Sequence, residues 1–321
     1  MRKILSLATL SALTIFSCGG GGGGGDSNPN TNNTNICSSP LKTETATKAI
    51  SLVALSSEIL EDTTEIAGEL LNSLEDFNLS RGFRGLGNPS FRGMLPLLPK
   101  FPIYPPSRST GYTYTYTCEK GGTIEYNIAQ EGDTNLTITG TMNNCEDIDG
   151  KYNGNFYLYL EVNEQSDIEY QFDLKNFSFS NNSDWIKGDL SIKSEINFTD
   201  NEPTSFEAVL NGDLKFYYEG ESEHIQYDNL TYYFYLDDNN DEYLKVNGSI
   251  AADCLDGWVS LETIEPLLID EESDDICPIA YSGKLKIIKG KNESIVVFNE
   301  DGSIDIDGKT FSCQDVVNKC E

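Results

Sequence analysis

The residue types of this chain that could carry out chemistry are aspartate, glutamate, cysteine and a single histidine. The 321 residues include 52 Asp plus Glu, eight Cys and one His, which is His224. The sequence contains no nucleophile elbow, phosphate-binding loop, HExxH motif or EF-hand loop, and it contains no CxxC pair that would suggest zinc. We therefore expect a protein that is not an enzyme and that holds no cofactor or metal.

Two acidic segments are candidates for cation binding or catalysis. The run Asp237 to Glu242 offers oxygen ligands of the kind calcium prefers, but it lacks the glycine and the distant glutamate of an EF-hand. Because it stands between two predicted strands, a solvated hairpin turn is favoured. Asp301, Asp305 and Asp307 are interpreted in the same way. A carboxylate pair for glycoside hydrolysis stays open, although no spacing singles out two residues.

The amino-terminal segment has the pattern of a secretory signal. Arg2 and Lys3 precede the uncharged, mostly apolar stretch from Ile4 to Phe16. A bilayer-spanning helix needs roughly 20 apolar residues, so this stretch is too short to span and has the length of a signal-peptide core.

The end of that stretch, Ile15-Phe16-Ser17-Cys18, resembles the lipobox of bacterial lipoproteins. The resemblance implies that residues 1–17 are a signal peptide, that Cys18 is acylated and becomes the first residue, and that the membrane is contacted through this lipid. The alternative is an ordinary signal peptide with Cys18 as a plain thiol. Gly19 stands where an aspartate would retain the protein in the inner membrane, which implies the outer membrane of a Gram-negative bacterium. The leaflet stays open.

Residues 18–44 are predicted to be a lipidated tether. Seven consecutive glycines, 19 to 25, lead into the Asn-rich stretch DSNPNTNNTN, a composition typical of flexible linkers. The formal net charge of the chain is −30. Such a charge excludes nucleic acid as a partner and repels anionic headgroups, so we expect the folded part to stay off the membrane surface.

Residues 45–77 are predicted to form an amphipathic helix that covers an apolar face of the remaining chain. Its apolar stripe follows spacings of three, four and seven residues and consists of Ile50, Val53, Leu60, Ala67, Leu71, Leu74 and Phe77. Thr63, Thr64 and Gly68 weaken the helix, so a break into two helices is an alternative.

Residues 78–110 are predicted to be a proline-rich basic linker. The segment contains five basic residues and no acidic one, namely Arg81, Arg84, Arg92, Lys100 and Arg108. Six prolines exclude regular structure there. Two interpretations stay open: a segment that docks on the acidic remainder of the protein, or a spacer.

Residues 111–321 alternate apolar and polar residues with a period of two, between short turn clusters. This pattern predicts a mainly β fold: a curved antiparallel β-meander of about a dozen strands, closed as a barrel or open as a half-barrel. Only the final FSCQDVVNKC favours a helix. Six apolar-x-Gly-x-apolar motifs place a glycine on the apolar face of a strand, at Gly140, Gly154, Gly188, Gly212, Gly248 and Gly283. Curvature of the sheet is the favoured reason, and room for a ligand is the alternative.

An envelope location permits disulfides between the cysteines other than Cys18. Sequential pairing is favoured among several connectivities, with Cys37 left over. The predicted pairs are Cys118 with Cys145, Cys254 with Cys277, and Cys313 with Cys320.

The segment from Cys118-x-x-Gly121-Gly122 to Asn144-Cys145, with GWVSLETIEPL, SGKLKIIKG and FNEDGSIDIDG, resembles uncharacterised bacterial envelope lipoproteins. The resemblance implies location and a strand-rich fold but no activity. We expect a non-enzymatic binding or surface-interaction module with a protein partner. The alternative is a carrier that holds an apolar small-molecule ligand inside the curved sheet.

Overall fold

The computed structural model describes residues 39–73, 113–131, 134–148, 150–163, 167–181, 184–199, 202–218, 221–239, 241–269 and 280–317. These ranges contain two α-helices, α1 (Thr43–Ser73) and α2 (Cys313–Val317), and a 3-10 turn at Asp253–Leu255. The strands are β1 (Ser39–Pro40), β2 (Thr113–Thr117), β3 (Gly121–Glu131), β4 (Asn135–Glu146), β5 (Lys151–Val162), β6 (Ile168–Asn181), β7 (Asp184–Thr199), β8 (Glu202–Tyr218), β9 (Glu221–Leu236), β10 (Glu242–Ala252), β11 (Gly257–Ile269), β12 (Ser282–Lys289), β13 (Asn292–Phe298), β14 (Ser303–Ile306) and β15 (Lys309–Ser312).

The strands form one antiparallel meander. From β2 to β15, each strand pairs with its neighbours in sequence, and β1 adds a short parallel pairing to β13. Within the described residues the edge strands β2 and β15 do not pair with each other, so the sheet is an open, curved half-barrel. The prediction of a curved antiparallel meander is confirmed, and of its two forms the structure has the open one.

Helix α1 packs on the inner face of the sheet. The predicted stripe residues Ile50, Val53 and Leu60 are at most 3% exposed, within one core that includes the inward side chains of every strand from β3 to β14. The helix runs unbroken through Thr63, Thr64 and Gly68, so the alternative of two helices is wrong. It begins at Thr43, and with β1 it brings the last residues of the predicted tether into the fold. Residues 74–77 of the predicted helix lie outside the described residues.

The glycine motifs accompany β-bulges. On β9, Asn229 is an extra residue with φ 48°. Its carbonyl oxygen would lie 2.2 Å from a Cβ at Gly248 of β10, so a side chain has no room there. Because of the bulge, the peptide N–H of Asn229 has no partner in the backbone ladder of the described sheet. It donates instead to Asn211 Oδ1 at 2.9 Å.

The same arrangement recurs on β6. Asn176 is the bulged residue, with φ 51°, and a Cβ at Gly154 of β5 would lie 2.7 Å from its carbonyl oxygen. Asn176 N donates to Asp189 Oδ1 at 2.6 Å. Bulges bend strands and increase their twist, so these glycines admit the bulges that help to curve the sheet.

The disulfide Cys118–Cys145 is present and joins the end of β2 to β4, with the two Cα atoms 5.4 Å apart. Cys313 is disulfide-bonded as well. Its predicted partner, Cys320, lies outside the described residues, as do Cys277, Cys37 and Cys18. The predicted signal peptide and the basic linker also lie outside them.

Candidate binding surface

The inner face of the sheet is occupied by the chain's own helix. Tyr232 of β9 is fully buried and donates from Oη to the carbonyl oxygen of Val53 at 2.8 Å. Ser56, also buried, donates to the carbonyl oxygen of Leu52 at 2.6 Å and lies beside the phenols of Tyr227 and Tyr232. The buried hydroxyls of Tyr232 and Ser56 are thus both satisfied, and the Tyr232 bond fixes the position of α1.

Burial keeps these two tyrosines neutral. Desolvation raises the pKa of Tyr227 to about 12, although the Ser56 hydroxyl opposes the rise, and it raises the pKa of Tyr232 further still. Of the two, Tyr232 holds the helix through its hydrogen bond to Val53.

The outer face of β7 and β8 carries an ordered arrangement of functional side chains. Trp185-x-Lys187-x-Asp189 on β7 runs antiparallel to Asp213-x-Lys215-x-Tyr217 on β8. The register pairs Trp185 with Tyr217, Lys187 with Lys215, and Asp189 with Asp213. The result is an aromatic row, a lysine row and a carboxylate row, one beside the next on the solvent side.

Strand β9 extends the lysine row by one more residue. Lys215 pairs with His224, whose side chain is 29% exposed. We call Trp185, Lys187, Lys215, Tyr217 and His224 the aromatic–cationic patch. The two rings stack with their centroids 5.8 Å apart, and Lys187 Nζ lies 4.5 Å above the Trp185 ring.

The carboxylate row positions the patch. Asp213 Oδ1 accepts a hydrogen bond from His224 Nε2 at 2.7 Å, and its Oδ2 accepts one from Gln226 at 2.8 Å. Desolvation alone would raise the pKa of Asp213, but these hydrogen bonds outweigh it and hold the pKa below its usual value. The carboxylate is therefore ionised and holds the imidazole ring in place beside Lys215.

The two lysines of the patch form no close ion pair, although Lys215 and Asp213 attract each other at longer range. Among the described residues, neither Lys187 nor Lys215 has a carboxylate oxygen within 4.0 Å, whereas Lys284 and Lys286 form ion pairs with glutamates. Like charges directly opposite on neighbouring strands repel. The patch is thus a locally positive, partly aromatic surface on a strongly acidic chain.

A second aromatic cluster lies further along the outer face, on β9 and β10. Tyr233, Tyr235 and Tyr243 stack with centroid separations of 5.3 and 5.5 Å. Lys245 Nζ lies 5.7 Å from the Tyr233 centroid and 4.9 Å from the Tyr235 centroid. This cluster has one cation and is bordered by Glu207, which pairs with Tyr233, so it is a weaker candidate for binding an anion.

The acidic candidates from the sequence serve the turns. Asp237 Oδ1 accepts hydrogen bonds from the peptide N–H groups of Asn239 and Asp241, at 2.8 and 3.0 Å, and thereby closes the β9–β10 connection. Asp301 accepts from Ser303 in the same manner. In the described ranges, no three His, Cys, Asp or Glu side chains are grouped so that they could hold a metal ion.

The remaining acidic candidates, Asp305 and Asp307, bind neighbouring side chains. Asp305 accepts a hydrogen bond from Thr310, and Asp307 accepts one from Ser294. A cleft of about 520 Å³ lies beside them, lined by Glu265, Pro266, Ser282, Gly283, Val297, Phe298, Asn299, Glu300 and Asp301. Glu265 in this cleft is paired with Lys284 at 2.6 Å, so the cleft presents acidic and apolar groups without a free cation.

The aromatic–cationic patch was not predicted from the sequence. A signal for it exists: the order aromatic-x-Lys-x-Asp in β7 returns in reverse in β8. In an antiparallel pair, a reversed order places like residues opposite one another when the register matches.

The search for relatives gave no match: no protein-family model, no curated protein and no solved structure is similar to the chain. Neither described helix contains an apolar stretch of the length that crossing a membrane requires.

Proposed function

We propose that the chain is a lipid-anchored lipoprotein of the outer membrane that acts as a non-enzymatic surface-interaction module. The anchor is Cys18, at the end of the lipobox-like Ile15-Phe16-Ser17-Cys18. The binding surface is the outer face of the sheet, and the aromatic–cationic patch is its most distinctive part.

The observation that carries this proposal is the position of α1. A curved sheet has two faces on which to bind a partner, and here the side chains of Ile50, Val53 and Leu60 are buried against the inner one. The outer face bears exposed and half-exposed aromatic and charged side chains in register across several strands. Binding at the outer face leaves the core intact, because it requires no movement of the helix.

The alternative is a carrier that holds an apolar ligand inside the curved sheet. Beside β9 such a ligand would have to lie where α1 packs, and there it would displace the Tyr232–Val53 hydrogen bond. Displacement would expose a core of large apolar side chains, each worth roughly 1.5–3 kcal/mol when fully buried. The carrier is therefore the less favoured proposal.

Mass spectrometry of the full chain, produced in a Gram-negative host with lipoprotein processing, tests the anchor. We expect a mature protein that lacks residues 1–17 and carries acyl chains on Cys18. The matched control is Cys18→Ser, which should leave the membrane fraction and carry no lipid. An unmodified Cys18 in the wild-type protein would refute the anchor.

Native mass spectrometry of the same preparation distinguishes the two proposed functions, interaction module and carrier. We expect the mass of the acylated chain alone. A stoichiometric apolar ligand that persists in Cys18→Ser would instead favour the carrier, because such a ligand cannot be the covalent anchor.

A further inference from the structure

We infer that the aromatic–cationic patch binds an acidic sugar unit of a polysaccharide, with the carboxylate of the sugar between Lys187, Lys215 and His224. This inference rests on the proposed function, since it names the partner of the same surface. It is argued from the three cross-strand rows of β7, β8 and β9.

The first argument is electrostatic. Lys187 and Lys215 are direct cross-strand partners, and such neighbours have Cβ atoms roughly 4.5–5.5 Å apart, so their ammonium groups can approach within one Debye length, about 8 Å at physiological ionic strength. Within that distance Lys187 and Lys215 repel each other, and an anion placed between them removes the repulsion. Asp213, in the adjacent row, is ionised and attracts Lys215, so it opposes an anion at this point, whereas carboxylates more than a Debye length away are largely screened.

The second argument concerns the groups that flank the lysines. On one side, Trp185 and Tyr217 present stacked rings, which offer apolar surface to the C–H groups of a sugar ring. On the other side, Asp213 and Gln226 present oxygen acceptors beside the row. A sugar acid has a carboxylate, a ring with apolar C–H groups and hydroxyl donors, so each of the three rows meets a group that it can bind.

Other anions match fewer rows. Inorganic phosphate and polyphosphate have charge but no apolar ring, so they would use the lysine row alone. Nucleic acid has one charge per about 1.7 Å of duplex, and the carboxylate row and the net charge of −30 oppose so dense a polyanion. An acidic polysaccharide has a lower charge density, and each of its acidic units carries the carboxylate, the apolar ring face and the hydroxyls together.

Lys187 links the aromatic and cationic rows. Its ammonium group lies 4.5 Å above the Trp185 ring, so the positive charge and the aromatic surface reach solvent at the same place. A ligand that binds this ammonium group must therefore come close to Trp185. The fluorescence of Trp185 is consequently a direct probe of the site.

Titration of polygalacturonate into the full chain, followed by tryptophan fluorescence at 0.15 M salt, tests the inference. The chain has two tryptophans, and Trp258 is 46% exposed, so Trp258→Phe removes the other signal without disturbing the core. We expect a saturable change in Trp185 emission, no change with neutral dextran, and at least tenfold weaker binding of inorganic polyphosphate.

The decisive variant is Lys187→Gln/Lys215→Gln, which removes two charges from exposed positions of β7 and β8. Its apparent Kd for polygalacturonate should rise at least tenfold. The control is Lys175→Gln/Lys193→Gln, which removes the same charge from exposed positions of β6 and β7 and should stay within twofold of wild type.

Three results would overturn the inference. Wild-type protein that gives no response to polygalacturonate has no such site. If the two double variants lose equal affinity for polygalacturonate, the binding is general charge attraction. If wild-type protein binds polyphosphate as tightly as polygalacturonate, the patch is an anion site that does not recognise sugar. None of these results depends on acylation of Cys18, so failure of the patch and failure of the anchor are distinguishable.

Discussion

The phenol of Tyr232 donates a hydrogen bond to the carbonyl oxygen of Val53, at 2.8 Å, across 179 positions of sequence. This bond joins the middle of α1 to β9 near the centre of the sheet, and both residues are at most 2% exposed. A helix that packs through apolar side chains alone can slide along a curved sheet at little cost. A buried directional bond fixes its position, because an unpaired phenol would have to stay buried after any shift.

The neighbouring buried phenol provides a matched comparison. Tyr227 Oη has no well-aligned hydrogen-bond partner among the described residues, although Ser56 lies near it. We expect Tyr232→Phe to lower the free energy of unfolding by about 1 kcal/mol, whereas Tyr227→Phe should be neutral or slightly stabilising. Urea unfolding of the two variants beside wild type measures the difference. If both variants lose the same free energy of unfolding, the Tyr232–Val53 hydrogen bond makes no contribution of its own.

The same two tyrosines predict a loss of stability at high pH. Their pKa values are raised in the folded state, to about 12 for Tyr227, whereas an unfolded tyrosine titrates near 10. Above pH ~10 the unfolded chain therefore releases protons that the folded chain retains. The stabilisation that these two tyrosines contribute is fully present below pH ~10. As the pH rises above that value, the free energy of unfolding falls by up to roughly 1.4 kcal/mol per pH unit for each buried tyrosine.

Thermal unfolding between pH 8 and 12, with tyrosinate absorbance near 295 nm as a second signal, measures this loss. We expect Tm to fall above pH 10 and a group of tyrosines to ionise only as the protein unfolds. Tyr227→Phe should reduce the slope, whereas Tyr243→Phe, on the solvent side of β10, should not. If Tyr227 ionises freely in the folded protein, the expectation is wrong.

Four glutamates lie in one cross-strand row on the outer face. Glu161 of β5 pairs with Glu169 of β6, Glu169 with Glu195 of β7, and Glu195 with Glu207 of β8. Like charges directly opposite on neighbouring strands destabilise a sheet. The row therefore lowers the stability of the fold.

Neutralising a central member should relieve the repulsion. We expect Glu195→Gln to raise the free energy of unfolding by about 0.2–1 kcal/mol at low ionic strength. The gain should shrink in 1 M salt, where the Debye length falls to about 3 Å. The control is Glu125→Gln, on the same face but opposite Thr115 and Thr141, which should change stability little. A gain that is equal in both variants, or that does not depend on salt, would contradict the explanation.

The sequence predicted the sheet because the signal for it is local. Strict alternation such as Phe206, Ala208 and Leu210 assigns one face of a strand without reference to any other strand, and short turn clusters between strands imply antiparallel neighbours. The 28-residue window from Cys118 to Cys145 was short enough for pairing to be inferred from a hairpin, and the disulfide confirms it.

Features that depend on register could not be predicted in this way. The patch requires Lys187 and Lys215 to be exact cross-strand partners, and a shift by one residue would turn one of them toward the core. Whether the sheet closes depends likewise on how twist and stagger accumulate over all the strands. The bulge at Asn229 was missed because its signal, a glycine on each neighbouring strand, becomes visible only after the strands are aligned.

Gly188 provides the test of the bulged geometry. Its φ is 144°, and a Cβ there would lie 1.9 Å from the carbonyl oxygen of Asp213 on β8. Gly121 has a similar φ of 129° but no atom within 4 Å of such a Cβ. Gly188→Ala therefore adds a backbone clash to an unfavourable backbone angle, whereas Gly121→Ala has the unfavourable angle alone.

We expect Gly121→Ala to cost about 1–3 kcal/mol, the usual range for a strained backbone conformation. Gly188→Ala should cost a further 1–3 kcal/mol, because β7 and β8 must separate to admit the methyl group. Chemical unfolding of both variants gives the difference directly. The clash also moves the strands that carry Lys187 and Lys215, so we expect Gly188→Ala to weaken polygalacturonate binding, whereas Gly121→Ala, at the start of β3, leaves it unchanged. Equal costs for the two substitutions would mean that the β7–β8 pair yields at Gly188 without resistance.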